Sequence, residues 1–335
     1  SDLTTLLTAA MLEASGQYEH VYAVGNIGVP SSEIAAKATK NDLLVAELSS
    51  FQLMGMPEFH PIVAAIVDIY PTHLDYHGSF ENYRDAKLQI TKNQTAADTF
   101  VVNADQPEIL AVEESVSKAT ITTFSMLNDH ADYYLAADGL HTEDGSVFAL
   151  VDIMLPGQHN LQNILVAMAI SKTLGVADAA ITQVLKTFSG VKHRLQFVQD
   201  LNGRKVYNDS KSTNEKATSV ALQSFHQPEV LIAGGLDRGF NFDGLIPLFK
   251  EHVKAIVTYG ETKELLAASA QKAGVPSITV VDDLAAAVPV AYQNSAVGDI
   301  ILFSPACASW DQFDNFEQRG DFFIEYIKQI EVDNK

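Results

Sequence analysis

The sequence predicts an α/β protein of two domains, each built on a mostly parallel sheet, and three observations carry that prediction. The chain has 335 residues, a length suited to roughly two domains. Short runs rich in Val and Ile alternate with helix-length segments along nearly all of it. Many of those runs are continuously apolar, as in strands buried on both faces of a parallel sheet.

The chain opens on a helix. Leu3, Leu6, Leu7, Ala10 and Met11 recur at i, i+3, i+4, i+7 and i+8, and Gly16 suits its carboxyl stop. Strands are predicted at HVYAVGN (20–26), NDLLVAEL (41–48), PIVAAIVDI (61–69) and DTFVVNAD (98–105), each bounded by turn residues. A more antiparallel-looking patch follows at TITTFS (120–125), DYYLAADG (132–139) and SVFALVDIML (146–155). Two helical segments, HNLQNILVAMAISKTLG and ADAAITQVLKTF, close the first domain. The second begins with LQFVQDLNGRKVYND, where Asn202-Gly203 is a favoured two-residue hairpin turn. EVLIAGG, VKAIVTYG, SITVVDD and DIILFSP then alternate with helices, the signature of a Rossmann-like, doubly wound sheet. The predicted boundary lies near Gly190-Val191, giving domains of 1–190 and 191–335.

Composition bounds the function. The sequence is 47% hydrophobic and 19% charged, an ordinary globular balance. A formal net charge of −20 argues against a nucleic-acid scaffold, because that affinity comes from Lys and Arg neutralising phosphates. A nucleotide would have to be held by local cations, backbone amides or metal ions. Cys307 is the only cysteine, so no intrachain disulfide forms and a reducing cytosol is the natural compartment. There is no membrane-length apolar run and no signal-peptide pattern.

Ligands in such sheets sit beyond the carboxyl ends of the strands. Glu47, then His73 and Asp75, then Asp209 and Lys211, and finally Ser304 and Ser309 follow predicted strands. Lys87 stands out differently. Ser79 can cap a helix on which Phe80, Tyr83, Lys87 and Ile90 share one face, so this lysine must snorkel, pair or be chemically altered. His73 and His77 are four apart but share a loop with Pro71 and Gly78, which disfavours a zinc pair. Glu47 with His73 is a mixed oxygen and nitrogen set, better suited to Mg²⁺ or Mn²⁺. Cys307 reads as a packing residue, and AGGLDRG as a strand-to-helix turn.

Eight stretches in order, GNIGVP, ELSSFQL, PTHLDYHGSFENYRDAK, PGQHNLQN, GVKHRLQ, YNDSKSTN, AGGLDRG and SPACASWDQFDNFEQRGDFF, together resemble the Mur ligases, ATP-dependent amino-acid ligases of bacterial peptidoglycan precursor synthesis. DSKSTN and the last stretch favour the branch that adds D-glutamate to UDP-N-acetylmuramoyl-L-alanine. The resemblance implies a central ATPase-type domain, a C-terminal Rossmann-like domain, and activation of a carboxylate by ATP as an acyl phosphate that the D-glutamate amine attacks. It implies that Asn26 and Ser49 face the muramoyl substrate and that Glu47, His73 and Ser1 hold Mg²⁺. Lys87 would carry a carbamate that supports a second Mg²⁺. Asn163 would contact adenine, His193 and Arg194 the ATP phosphates, and Asp209 the ribose. Lys211, Thr213, Ser309 and Phe316 would form the D-glutamate pocket, with Arg238 near the substrate carboxylate and Lys87, His73, Arg194 and Lys211 as the catalytic set. Small molecules are the implied partners of a cytoplasmic monomer that binds neither nucleic acid nor membrane.

The family also carries an N-terminal uridine-diphosphate-binding domain and a phosphate loop of the form G-x-x-G-K-[ST]. Ser1 falls at that hydroxyl position, so the resemblance implies a piece of a longer ligase that is by itself poorly active. Two alternatives stay open at this point: another amide ligase, of the Mur or folylpolyglutamate type, and an inert nucleotide-binding module.

Overall fold

The computed structural model describes residues 2–27 and 29–333. It divides into two compact units, one of residues 1–154 and 158–188, the other of 155–157 and 189–335.

The first unit contains α1 (Asp2–Ala14), β1 (Val21–Gly25), α2 (Ser31–Ala35), β2 (Leu43–Glu47), α3 (Ser50–Met54), β3 (Val63–Ala65), α4 (Leu74–His77), α5 (Phe80–Leu88), β4 (Thr99–Asn103), α6 (Pro107–Val116), β5 (Thr120–Ser125), β6 (Tyr133–Ala136), β7 (Gly139–His141), β8 (Val147–Phe148), α7 (Gln158–Thr173) and α8 (Asp178–Thr187). β1 and β2 form a parallel pair of their own, and the other strands form a sheet in the order β3-β4-β5-β6-β7-β8. β3 to β6 run parallel, and only β6, β7 and β8 are antiparallel. Thr120–Ser125 therefore departs from the antiparallel reading of its sequence. The crossover helix α6 separates it from β4, and a helical crossover returns the chain in the same direction. Only two residues of the apolar run 146–155 are strand, Val147 and Phe148.

The buried face of α1 is wider than its apolar stripe. Leu3, Leu7, Met11 and Leu12 are buried, and so are Thr4, Thr5 and Thr8. Thr8 tolerates this by donating its hydroxyl to the Thr4 carbonyl (2.8 Å). Side-chain amides fasten the carboxyl ends of the neighbouring strands. Asn103 Nδ2 donates to the Val67 carbonyl (2.9 Å), and Gln106 holds both polar groups of the Ile69 backbone. The core beneath combines Ile66, Ile69, Tyr83, Leu88, Phe100 and Val102.

The second unit contains β9 (Gln196–Leu201), β10 (Arg204–Asn208), α9 (Glu215–Leu222), β11 (Glu229–Gly234), α10 (Ile246–His252), β12 (Val253–Tyr259), α11 (Lys263–Ala273), β13 (Ser277–Val280), α12 (Leu284–Gln293), β14 (Ile300–Phe303) and α13 (Phe316–Asp333). Its sheet runs β13-β12-β11-β14-β10-β9, with β9 the antiparallel edge. Asn202 and Gly203 both have positive φ (52° and 80°), the primed turn that the sequence predicts. All six residues of β11 are buried, and apolar clusters cover both faces of the sheet. The chain winds one way from β11 through β12 to β13, then returns to place β14 on the other side of β11. That reversal opens a crevice beyond Gly234 and Phe303. Gly234 and Gly235 are required there, because a Cβ would strike the Tyr259 carbonyl in one case and the Ala308 carbonyl in the other.

One core residue conflicts with this environment. Glu229 begins β11 fully buried, neither carboxyl oxygen has a hydrogen-bond partner, and burial pushes its pKa up to about 9 from 4.5. Between those values the native state binds more protons than the unfolded state, so stability falls as pH rises, by at most about 1.4 kcal/mol per pH unit. Glu229→Gln should be more stable than the parent at pH 8, by on the order of 1–3 kcal/mol, with a flatter pH dependence in urea unfolding. Identical pH slopes for the two proteins would refute this assignment.

Candidate active site

In the first unit, β2 delivers Glu47 to its carboxyl end, where the Glu47 carbonyl accepts the N–H of exposed Asn26 (2.8 Å). Ser49 starts α3 through a capping box. Its hydroxyl accepts the Gln52 N–H (3.3 Å), and its own N–H donates to Gln52 Oε1 (2.9 Å). Phe51 on α3 then packs against both histidines, with ring centroids 5.4 Å from His73 and 5.3 Å from His77. The two histidines differ in kind. His77 is buried and shares a hydrogen bond with Ser50 Oγ (3.1 Å). His73 is exposed and caps α4 in the left-handed region (φ 53°). Tyr83 lies against both rings and beneath Lys87, whose Nζ is 5.4 Å from the Tyr83 ring centroid. The half-buried Lys87 lines a cavity of about 680 Å³ together with Glu47, Asp68, His159 and Asn163. Asn163 is oriented by Thr4, whose hydroxyl donates to its Oδ1 (2.8 Å). Ser1 lies outside the described residues.

Among the described residues, no group of three or more His, Cys, Asp or Glu side chains converges to hold a metal. Mg²⁺ does not need such a cage. It is commonly held by one or two carboxylates, with water and substrate phosphate completing an octahedron. Glu47 on the cavity wall fits that description.

In the second unit the chemistry gathers where β10 and β14 end. Asp209 is buried, accepting the Leu195 N–H (3.1 Å) and the Ser304 hydroxyl (2.7 Å). Burial pushes its carboxyl up to about 6, opposed by hydrogen bonds from Ser212, Ser304 and Leu195 and by the Arg194 charge. The Lys211 N–H donates to the His193 carbonyl (2.9 Å), so the two segments are clipped together, with Arg194 exposed between. His193 has positive φ (65°) and is buried, with Nδ1 3.0 Å from Asn208 Nδ2. Burial holds its imidazole below the usual histidine range against the pull of Asp321. Gly320 permits this packing, since a Cβ there would collide with the His193 ring. Phe316 begins α13 with its ring 6.2 Å from His193 and 6.0 Å from Lys211 Nζ. Ser309 is buried and its carbonyl accepts the Gln312 and Phe313 N–H groups, while Thr213 is half-buried ahead of α9. Arg238 is exposed, and its guanidinium stacks over Phe240.

The structure thus joins Glu47, Lys87 and Asn163 around one cavity, with Asn26 and His73 adjoining, and groups His193, Arg194, Asp209, Lys211 and Phe316 in the second unit. Against this geometry stand the comparisons with known proteins. The model described as "Mur ligase middle domain" matches residues 4–171, and the one described as "Mur ligase, glutamate ligase domain" matches 193–307. The chain belongs to the Mur ligase family. A UDP-N-acetylmuramoylalanine--D-glutamate ligase from Lactobacillus acidophilus is 56% identical over 332 residues, which is 98% of this chain and 72% of that protein. The ligase of the same name from Lactobacillus helveticus is 57% identical with the same coverage. A solved UDP-N-acetylmuramoyl-L-alanyl-D-glutamate--2,6-diaminopimelate ligase shares the fold, with a TM-score of 0.66 at 19% identity over 90% of this chain and 70% of that one. No helix among the described residues of this Mur ligase is long and apolar enough to cross a membrane.

Sequence reading passed over Arg319. It is fully buried, donating through Nε to Ser210 Oγ (3.0 Å) and through Nη2 to the Ser210 carbonyl (2.8 Å). Ser210 Oγ in turn donates to the Phe316 carbonyl (2.8 Å). The signal was periodicity, since Arg319 shares a helix face with the buried Phe323 and Ile327, the same anomaly that marks Lys87.

Ser304→Ala removes a donor that favours the charged form of Asp209, so the pKa of Asp209 should rise above about 6. Carboxyl-carbon NMR titration reads it directly. A value unchanged or lowered by the substitution would contradict the electrostatic account.

Proposed function

We propose that this Mur ligase adds D-glutamate to UDP-N-acetylmuramoyl-L-alanine in peptidoglycan precursor synthesis, using ATP to activate the acceptor carboxylate. The observation that carries the reading is 55–57% identity, across 98% of the chain, to relatives named for that reaction. The chemistry balances in two steps. The terminal phosphate of ATP passes to the carboxylate, giving an acyl phosphate and ADP. The D-glutamate amine then adds to the acyl carbon, loses a proton, and orthophosphate leaves as the amide forms.

Phosphoryl transfer asks chiefly for positioning and charge neutralisation. Mg²⁺, when bound, would screen the phosphate oxygens. Glu47 and His73 are proposed to hold it, with a carbamate on Lys87 supporting a second ion. Carbamylation suits a lysine on an apolar stripe, because it exchanges a bare ammonium for an anion that a cation can pair. Asn163 is assigned to adenine, Asn26 and Ser49 to the muramoyl substrate, and Asp209 to the ribose. Arg194 is exposed and is assigned to the ATP phosphates, and His193, held by its neighbours, is assigned to the placement of the Arg194 backbone. Lys211 and Phe316, with Thr213 and Ser309, are assigned to D-glutamate, and Arg238 to a substrate carboxylate. An acidic protein with a single buried cysteine suits a cytosolic site of action, and we place the enzyme there as a monomer acting on small molecules.

With the full-length protein and UDP-N-acetylmuramoyl-L-alanine, phosphate release across a panel of amino acids should be supported by D-glutamate alone. Equal turnover with L-alanine, a diamino acid or a folate acceptor would replace this reading with another amide ligase, and no turnover with any would favour an inert module. Lys87→Ala should lower the rate by on the order of 100- to 1,000-fold. Formate or acetate, able to supply the lost carboxylate, should partly restore it. Unchanged turnover in that variant would remove Lys87 from the mechanism.

A further inference from the structure

The residues on either side of the exposed Arg194 adopt a backbone that side chains avoid. His193 and Leu195 have φ of 65° and 41°. Neither is glycine, so each sits in the left-handed region at a cost that its surroundings must offset. The Arg194 N–H donates to the Val191 carbonyl (2.9 Å), and the Lys211 N–H donates to the His193 carbonyl (2.9 Å). The Leu195 N–H goes to Asp209 Oδ1 (3.1 Å). That bond is charge-assisted when the carboxylate is ionised, and such bonds are the strong ones. It is also made inside the core, where both residues are buried.

Behind the carboxylate runs a line of buried hydroxyls. Ser304 Oγ, just after β14, is 2.7 Å from Asp209 Oδ2, and Thr218 Oγ1, on α9, is 2.9 Å from Ser304 Oγ. Thr218 and Ser304 are both fully buried. Their proton order follows by elimination. An ionised carboxylate only accepts, and a hydroxyl has one proton to give. The Ser304 proton is therefore committed to Asp209, and Thr218 must donate to Ser304. The chain reads Thr218 to Ser304 to Asp209, with Leu195 donating from the other end, and bonds in such a chain polarise one another. It joins four separate segments: α9, the turns after β14 and β10, and the turn ahead of β9. The start of α9 is itself fixed, since Asn214 Oδ1 accepts the Ala217 N–H (2.9 Å). The other buried residues of α9, Ala221 and Leu222, are apolar, so the Thr218 hydroxyl is the exception on its face.

We propose that Thr218 is a positioning residue: through Ser304 and Asp209 it holds the Leu195 N–H, and so fixes the backbone that presents Arg194. Thr218 is buried and touches no ligand. The inference rests on the assignment of Arg194 to the ATP phosphates, and it names what keeps that arginine in place before nucleotide arrives. Loosening Leu195 lowers the fraction of free enzyme that is ready to bind, which weakens the apparent nucleotide affinity by the same factor. Saturating nucleotide restores the geometry, so turnover at saturation is largely kept.

Amide exchange by NMR and steady-state kinetics on the full-length protein, compared for the parent, Thr218→Val and Thr218→Ser, test it. In Thr218→Val the Leu195 amide should exchange at least about 10-fold faster, with the amides of Ile232 and Leu302 in the sheet core unchanged. KM for ATP should rise about 5- to 10-fold, with kcat within about 2-fold of the parent. Thr218→Ser keeps the hydroxyl and should restore both. Unchanged exchange at Leu195 would overturn the proposal, as would faster exchange with KM for ATP unmoved. Equal acceleration at Leu195 and in the sheet core would overturn it too, because that marks general loosening. So would a Thr218→Ser variant as impaired as Thr218→Val. A parent enzyme inert with D-glutamate would defeat the ligase reading instead, with amide exchange and ATP affinity still deciding the role of Thr218.

Discussion

A fully buried guanidinium is costly to keep in a protein interior unless its surroundings compensate it, and at Arg319 the hydrogen bonds to Ser210 act together with the Phe303 ring and the charge of nearby Asp311. Ser210 takes the Nε proton on its hydroxyl and the Nη2 proton on its carbonyl. That contact ties the loop after β10 to α13, and the neighbouring functional side chains take their places from it. Asp209 points back toward Ser304 and Leu195, Lys211 comes forward beneath the His193 carbonyl, and Phe316 stands beside both. Buried pairs in this region raise the stakes of each change, because an unpaired donor or carboxylate left behind costs more than its bond contributed.

The first unit obeys the opposite logic. Its functional candidates stand on a cavity wall, and the strands beside them are only half covered. The contrast between β2 and β11 is instructive, since both are apolar strands in mainly parallel arrangements. β11 has a strand on each side and apolar clusters on both faces of its sheet, and among the described residues β2 pairs with β1 alone. Glu47 and Lys87 thus reach open volume from rigid elements, which is how a sheet presents polar groups to a ligand.

How far the sequence revealed this depended on the range of each interaction. The hairpin at Asn202-Gly203, the cap at Ser79 and the doubly wound second sheet are local or periodic features, and all were legible. Lys87 and the polar residues at strand ends were legible because they break a pattern within one element. The direction of Thr120–Ser125 was misread, since strand alternation carries no information about the partner strand. Arg319 breaks the pattern of its helix as Lys87 does and was passed over all the same, and its partner Ser210, 109 residues away, was beyond local reading. The separate roles of His73 and His77 depend on Ser50 and Phe51, which only the packed structure brings to them.

The central claim is that the acceptor carboxylate is activated as an acyl phosphate before the amide forms. Its most direct test is oxygen transfer. UDP-N-acetylmuramoyl-L-alanine labelled with ¹⁸O in its terminal carboxylate is turned over by the full-length enzyme with ATP and D-glutamate, and the orthophosphate is analysed by mass spectrometry. Transfer of one ¹⁸O to phosphate for each amide formed is the predicted result, and amide formation with unlabelled phosphate would contradict it.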